Sequence, residues 1–144
     1  LVIAGESYGS FDLYQKLIEE NNFKTNIHQH VRYISDDEVP LFFSAADACV
    51  LPYKSATQSG ITSIAYHFEL PMIATDVGGL KEMVLDEKTG IIVHVPKAEA
   101  IAEGIRNFFD IESKQFASHI AEKKQELSWE SFAESILDLY AEIK

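Results

Sequence analysis

The run Asp47-Ala48-Cys49-Val50-Leu51-Pro52-Tyr53-Lys54-Ser55-Ala56-Thr57-Gln58-Ser59-Gly60 leads an apolar strand through a loop of small residues into a helix. One unit later, Pro71-Met72-Ile73-Ala74-Thr75-Asp76-Val77-Gly78-Gly79-Leu80-Lys81-Glu82 repeats the pattern. A short, continuously apolar run bounded by turn residues reads as a strand buried on both faces, the kind that parallel sheets use. Asp47–Tyr53 and Pro71–Thr75 are read so. Ser59 to Phe68 and Gly79 to Leu85 are the helices that follow them.

The same alternation extends in both directions. Toward the N-terminus, Leu1–Gly5 and Ile27–Tyr33 are expected as strands. A helix from Phe11 to about Phe23 lies between them, with Leu13, Leu17 and Ile18 on one face. Ser35-Asp36-Asp37-Glu38 has capping-box spacing, and Pro40 suits the first turn of the helix through Leu41–Ala45. Toward the C-terminus, Lys88-Thr89-Gly90 turns into a strand Ile91–Val95, and three helices complete the chain: Ala98–Phe109, Ser113–Leu127 and Ser128–Lys144. The stripe Trp129, Phe132, Ile136, Leu139, Tyr140 and Ile143 on the last helix has core spacing. Strands alternating with helices imply an α/β fold, a Rossmann-like, doubly wound parallel sheet whose ligands lie at the carboxyl ends of the strands. One domain, 1–144, is expected, because no linker or repeat interrupts the pattern. The chain opens directly into an apolar strand, which reads as a domain truncated at its N-terminus.

Both glycine-bearing loops carry a specific chemistry. A loop feeding a helix presents unpaired N–H groups and the positive end of the helix dipole, which suits a phosphate. Thr57 and Ser59 offer hydroxyls, and Gly60 permits close approach by a ligand. Simple capping of the helix by Thr57 or Ser59 explains the same residues equally well. Glu82 stands either as a carboxylate stabilising a helix start or as an acceptor for ligand hydroxyls.

Composition narrows the classes. A formal net charge of −11 argues against a nucleic-acid partner or an anionic membrane surface, since each requires a basic face. No apolar stretch has the length of a membrane span, so the domain is not expected to be membrane-inserted. The single cysteine, Cys49, lies in an apolar strand and reads as a small hydrophobe, which fits a reducing, cytoplasmic setting. His28, His30, His67, His94 and His119 lack metal-ligand spacing, so no metal is expected.

The motifs Ala45-Ala46-Asp47, Pro52-Tyr53, Ser59-Gly60, Thr75-Asp76-Val77-Gly78-Gly79-Leu80-Lys81-Glu82, Thr89-Gly90 and Ser128-Trp129-Glu130 occur in one order over most of the chain. Together they resemble the C-terminal domain of the retaining family 4 (group 1) glycosyltransferases, one half of a GT-B fold. The resemblance implies transfer of a sugar from a nucleotide-diphospho-sugar donor with retained configuration, without a cofactor or metal. The glycan or lipid-linked acceptor would come through an N-terminal domain, toward which helix 128–144 would pack. Donor-binding residues implied by the resemblance are Arg32, Tyr33 and Ile34 near the base, with Thr57, Gln58, Ser59, Gly60 and Ile61 around the diphosphate. Gly78, Gly79 and Glu82 would shape the cleft. No catalytic residue is assigned, and the domain alone is expected to be inactive.

Two departures stand against that pattern. The family carries two glutamates eight residues apart, and in the register fixed by Pro71 these positions hold Ala56 and Ile64. Ala56–Gly60 resembles a subset with an Ala-Thr-Gln-Ser-Gly loop, where Thr57 or Gln58 is the candidate replacement. The strand and helix that carry the family's diphosphate-neutralising Arg and Lys have no counterpart in these residues. The competing classes are a non-catalytic nucleotide-sugar-binding domain and a GT-B-fold nucleotide-sugar epimerase. A phosphoacceptor regulatory domain is rejected, because Asp47 begins its strand instead of ending it.

Overall fold

Twelve elements alternate as the sequence pattern demands, in a computed structural model that describes residues 1–111 and 113–143. They are β1 (Val2–Gly5), α1 (Asp12–Glu19), β2 (His28–Val31), α2 (Val39–Ser44), β3 (Cys49–Leu51), α3 (Gly60–His67), β4 (Met72–Thr75), α4 (Leu80–Met83), β5 (Gly90–Val93), α5 (Ala98–Asp110), α6 (Ser113–Glu126) and α7 (Trp129–Glu142). Lys24–Asn26 adds a single 3-10 turn before β2. The expected end of the last helix, Lys144, lies outside the described residues.

Every strand pairing is parallel, as expected for the α/β class. The chain forms two units, Leu1–Phe42 and Phe43–Lys144. The first holds a β1-β2 sheet, with Val2 opposite His28 and Gly5 opposite Val31. The second holds the sheet β3-β4-β5, in which Cys49 lies opposite Met72 and Thr75 opposite Val93.

The core belongs to the second unit. Met72, Ile73 and Ala74 of β4, the central strand, are buried together with Ala65 and Tyr66 of α3, and α5 packs on β4 and β5. Phe108 stacks on Phe116, with ring centres 5.4 Å apart. Burying each such side chain stabilises the fold by about 1.5–3 kcal/mol. Polar groups inside are matched. The Thr89 hydroxyl accepts the Leu85 N–H at 2.8 Å and bonds the Tyr66 hydroxyl at 2.9 Å, and that hydroxyl in turn bonds the Met83 carbonyl. This ties α3, the end of α4 and the turn before β5 together.

Three expectations about burial need correction. Leu13 and Leu17 on α1 are exposed and only Ile18 is partly covered, because a two-stranded sheet is too narrow to cover a whole helix face. The stripe on α7 is not core either. Trp129 is 82% exposed, and Phe132, Ile136, Leu139, Tyr140 and Ile143 are exposed with it. β3 is shorter than read, and only Leu51 is fully buried, since Cys49 and Val50 keep part of their surface. Elsewhere the local signals operate as expected: Ser128 caps α7 by accepting the Ser131 N–H at 3.2 Å.

Candidate functional site

The two glycine turns touch. The N–H of Gly79 donates to the Thr57 carbonyl at 2.8 Å, joining the β4–α4 turn to the β3–α3 loop. Gly78 adopts φ +53°, and a Cβ there would lie 1.7 Å from the Ala56 carbonyl oxygen. On Gly79 a Cβ would meet the Thr57 oxygen at 2.7 Å. Only glycine permits this approach, so the pair Gly78-Gly79 is what lets the two backbones meet.

The loop is held at both ends. Thr75, buried at the end of β4, donates its hydroxyl to the Tyr53 carbonyl at 2.6 Å and thereby fixes the exit from β3. At the other end, the Thr62 hydroxyl donates to the Ser59 carbonyl at 2.6 Å. Between them the Tyr53 hydroxyl lies 3.2 Å from the Ser59 Oγ, closing the loop upon itself. Sequence reading passed over Thr75, Thr62 and the hydroxyl of Tyr53. A threonine ending a buried apolar strand was the available signal, because such a hydroxyl must find an acceptor.

Ser59 occupies the N-cap position of α3 with extended backbone, yet its side chain makes no capping hydrogen bond. The N–H groups of Gly60 and Ile61 open the helix and have no intrahelical acceptor. Among the described residues no side chain or loop carbonyl takes them. Of the two readings of this loop, capping by Ser59 is therefore not the arrangement observed. Gln58 is exposed, and its Cγ lies 3.6 Å from where a Gly79 Cβ would be, so it overlies the second turn. Glu82 is the third residue of α4 and is exposed, in the place where a carboxylate favours a helix start.

The remaining predicted residues belong to the first unit. Arg32 forms a two-pronged ion pair with Glu38 and also donates to the Tyr33 carbonyl at 2.9 Å. Glu38 accepts the Ser35 N–H and hydroxyl as well, so only half of the expected Ser35–Glu38 box forms: the Glu38 N–H goes to the Ser35 carbonyl at 2.9 Å and not to its side chain. The Arg32 hydrogen bond first, then those from Ser35, hold the Glu38 carboxyl down at about 2. The same pairing raises the Arg32 guanidinium further. Tyr33 is exposed and Ile34 half-buried.

Electrostatics give the other titratable groups lesser parts. Burial pushes the Cys49 thiol up to about 11, so it is no nucleophile near neutral pH. His28 is exposed on β2, while His30 meets the Phe42 ring edge-on at 5.0 Å. Beside the second turn a cavity of about 390 Å³ is lined by Asp76, Lys81, Val84, Asp86, Lys88 and His94 among others. There the Asp76 carboxylate faces Lys81 at 3.4 Å and His94 at 3.7 Å. Among the described residues no group of three or more His, Cys, Asp or Glu is arranged to hold a metal. No helix among them is long and apolar enough to cross a membrane.

Known proteins resemble the chain in sequence and in fold. The D-inositol 3-phosphate glycosyltransferase of Corynebacterium aurimucosum is 27% identical over 99% of this chain and 35% of its own length. Sucrose-phosphate synthase from Thermosynechococcus elongatus superposes with a TM-score of 0.76 at 26% identity, over 99% of this chain and 37% of that one. HepE of Anabaena, solved in complex with UDP-glucose, shares the fold with a TM-score of 0.73 at 15% identity, covering 98% of this chain and 40% of that one. The chain thus spans roughly a third of the length of the relatives it matches. Residues 1–127 match the family described as glycosyl transferases group 1. An α/β fold with parallel strands, two touching glycine turns in the expected order and a family match over most of its length make this chain a member of the group 1 glycosyltransferases.

Proposed function

We propose that the chain binds the diphosphate of a nucleotide-sugar at the joined turns 57–61 and 78–79, as the donor half of a retaining, family 4 hexosyltransferase. The single observation that carries this reading is the Gly79–Thr57 hydrogen bond, which brings the uncapped start of α3 and the second glycine turn together. Amides held in place before the reaction stabilise the charge that develops on a departing diphosphate, and they need neither a metal nor a cofactor. Thr57, Gln58 and Ser59 supply side-chain hydrogen bonds, and Thr57 or Gln58 takes the place of the carboxylate absent at Ala56 and Ile64. Arg32, Tyr33 and Ile34 serve the base.

The acceptor, a glycan or lipid-linked sugar, is bound by the N-terminal part of a longer protein, against which α7 packs its exposed apolar face. Residues 1–144 on their own bind donor without turning it over. A cytoplasmic location accords with the unpaired Cys49 thiol.

The test is calorimetric titration of the chain with UDP-glucose, GDP-mannose and ADP-glucose. One of the three is expected to bind, with competition by its nucleoside diphosphate and none by the free nucleoside. Failure of all three, or equal competition by the nucleoside, would rule the diphosphate site out.

A further inference from the structure

We propose that Tyr53 is a positioning residue for donor binding: its hydroxyl holds the Ser59 side chain away from the first turn of α3, keeping the Gly60 and Ile61 amides open for an anion. This rests on the donor site proposed above and adds a residue that acts on it from outside.

Three observations support it. Ser59 stands at the N-cap with the extended backbone from which a serine ordinarily caps its helix, yet its Oγ makes no capping bond. That oxygen lies instead 3.2 Å from the Tyr53 hydroxyl. Tyr53 is itself fixed at its other end, since Thr75 bonds its carbonyl at 2.6 Å and its ring packs on the core. The tyrosine is thus an arm anchored on β4, and its terminal oxygen reaches Ser59. Without that oxygen, Ser59 is free to turn inward and accept the Ile61 N–H, taking for itself an amide that a phosphate would use.

Tyr53→Phe keeps the ring and removes only the hydroxyl. Isothermal titration with UDP, GDP and ADP is compared among wild type, Tyr53→Phe, Ser59→Ala and the double variant, with amide hydrogen exchange read on the same proteins. Tyr53→Phe is expected to weaken binding of the accepted diphosphate by about two- to ten-fold, as the loss of one hydrogen bond does. It should also slow exchange at Ile61 as the new cap forms. In the Ser59→Ala background, which has no hydroxyl to restrain, the same change should have no further effect on either measurement.

A merely structural role for Tyr53 would lower the unfolding temperature and speed exchange across the loop in both backgrounds, and that result overturns the proposal. So does unchanged affinity in Tyr53→Phe when wild type binds. Absence of binding by wild type to all three diphosphates instead removes the donor site on which the proposal rests.

Discussion

Gly78 lies so close to Ala56 that a single added carbon would sit 1.7 Å from the Ala56 carbonyl oxygen, and its φ of +53° already suits glycine alone. Gly78→Ala must therefore push the two turns apart. Chemical denaturation is expected to show a loss of about 2 kcal/mol or more, the scale of backbone strain combined with overpacking. Nucleotide-sugar titration should show affinity falling by more than the folded fraction alone explains. A variant of wild-type stability and affinity would mean that the turns are not held by this contact.

Thr75 donates to the Tyr53 carbonyl and, at 3.3 Å, also reaches the Leu51 carbonyl. Thr75→Val keeps the shape and deletes the donor, leaving the Tyr53 carbonyl without it. The expected cost is about 1–3 kcal/mol. Hydrogen exchange should show the loss concentrated in residues 53–59, with α5 and α6 protected as before.

Glu38 sets a pH dependence in the first unit. Its carboxyl has an ordinary value of 4.5 and is held at about 2 in the fold, by Arg32 first and Ser35 next. A depressed folded value means that its contribution is complete above the unfolded value and is lost as pH falls from about 4.5 toward 2. Glu38→Gln should flatten that part of the stability–pH curve and leave the curve above pH 6 parallel to wild type. Coincident wild-type and variant curves below pH 4 would show that the pair is too solvated to matter.

Thr89 joins three elements through one oxygen, accepting the Leu85 N–H and bonding the Tyr66 hydroxyl. Thr89→Val leaves the Leu85 N–H without its acceptor, while the Tyr66 hydroxyl keeps the Met83 carbonyl. A loss of about 1–3 kcal/mol is expected in denaturant unfolding. Tyr66→Phe should cost less, because the Thr89 oxygen retains Leu85.

Much of this fold could be read from residue pattern. Apolar runs bordered by Pro or Gly located four of the five strands, with the weaker, more polar β2 read beside them, and Ser59, Gly79 and Ser128 marked helix starts to within a residue. Such signals are local, so the chain carries them itself. Burial was less legible. Leu13 and Trp129 have the periodicity of core residues, but periodicity reports only that a face is apolar, and what covers it is decided elsewhere. In the candidate site, glycines and hydroxyls named the two loops. Nothing in their order revealed that Gly79 bonds Thr57 across more than twenty residues, nor that Tyr53 takes the Ser59 hydroxyl. Those partners follow from the parallel register of β3 and β4, which brings both strand ends to one edge.

The face of α7 that carries Trp129, Phe132 and Ile136 also sets how the chain behaves in solution. Four carboxylates, Glu130, Glu134, Asp138 and Glu142, recur at every fourth residue along the same helix, and no basic side chain interrupts them before Lys144. Like charge along this row should keep copies apart although each carries an apolar strip. As salt screens the row, repulsion fades and the strip remains, so clumping at high ionic strength should begin at this helix.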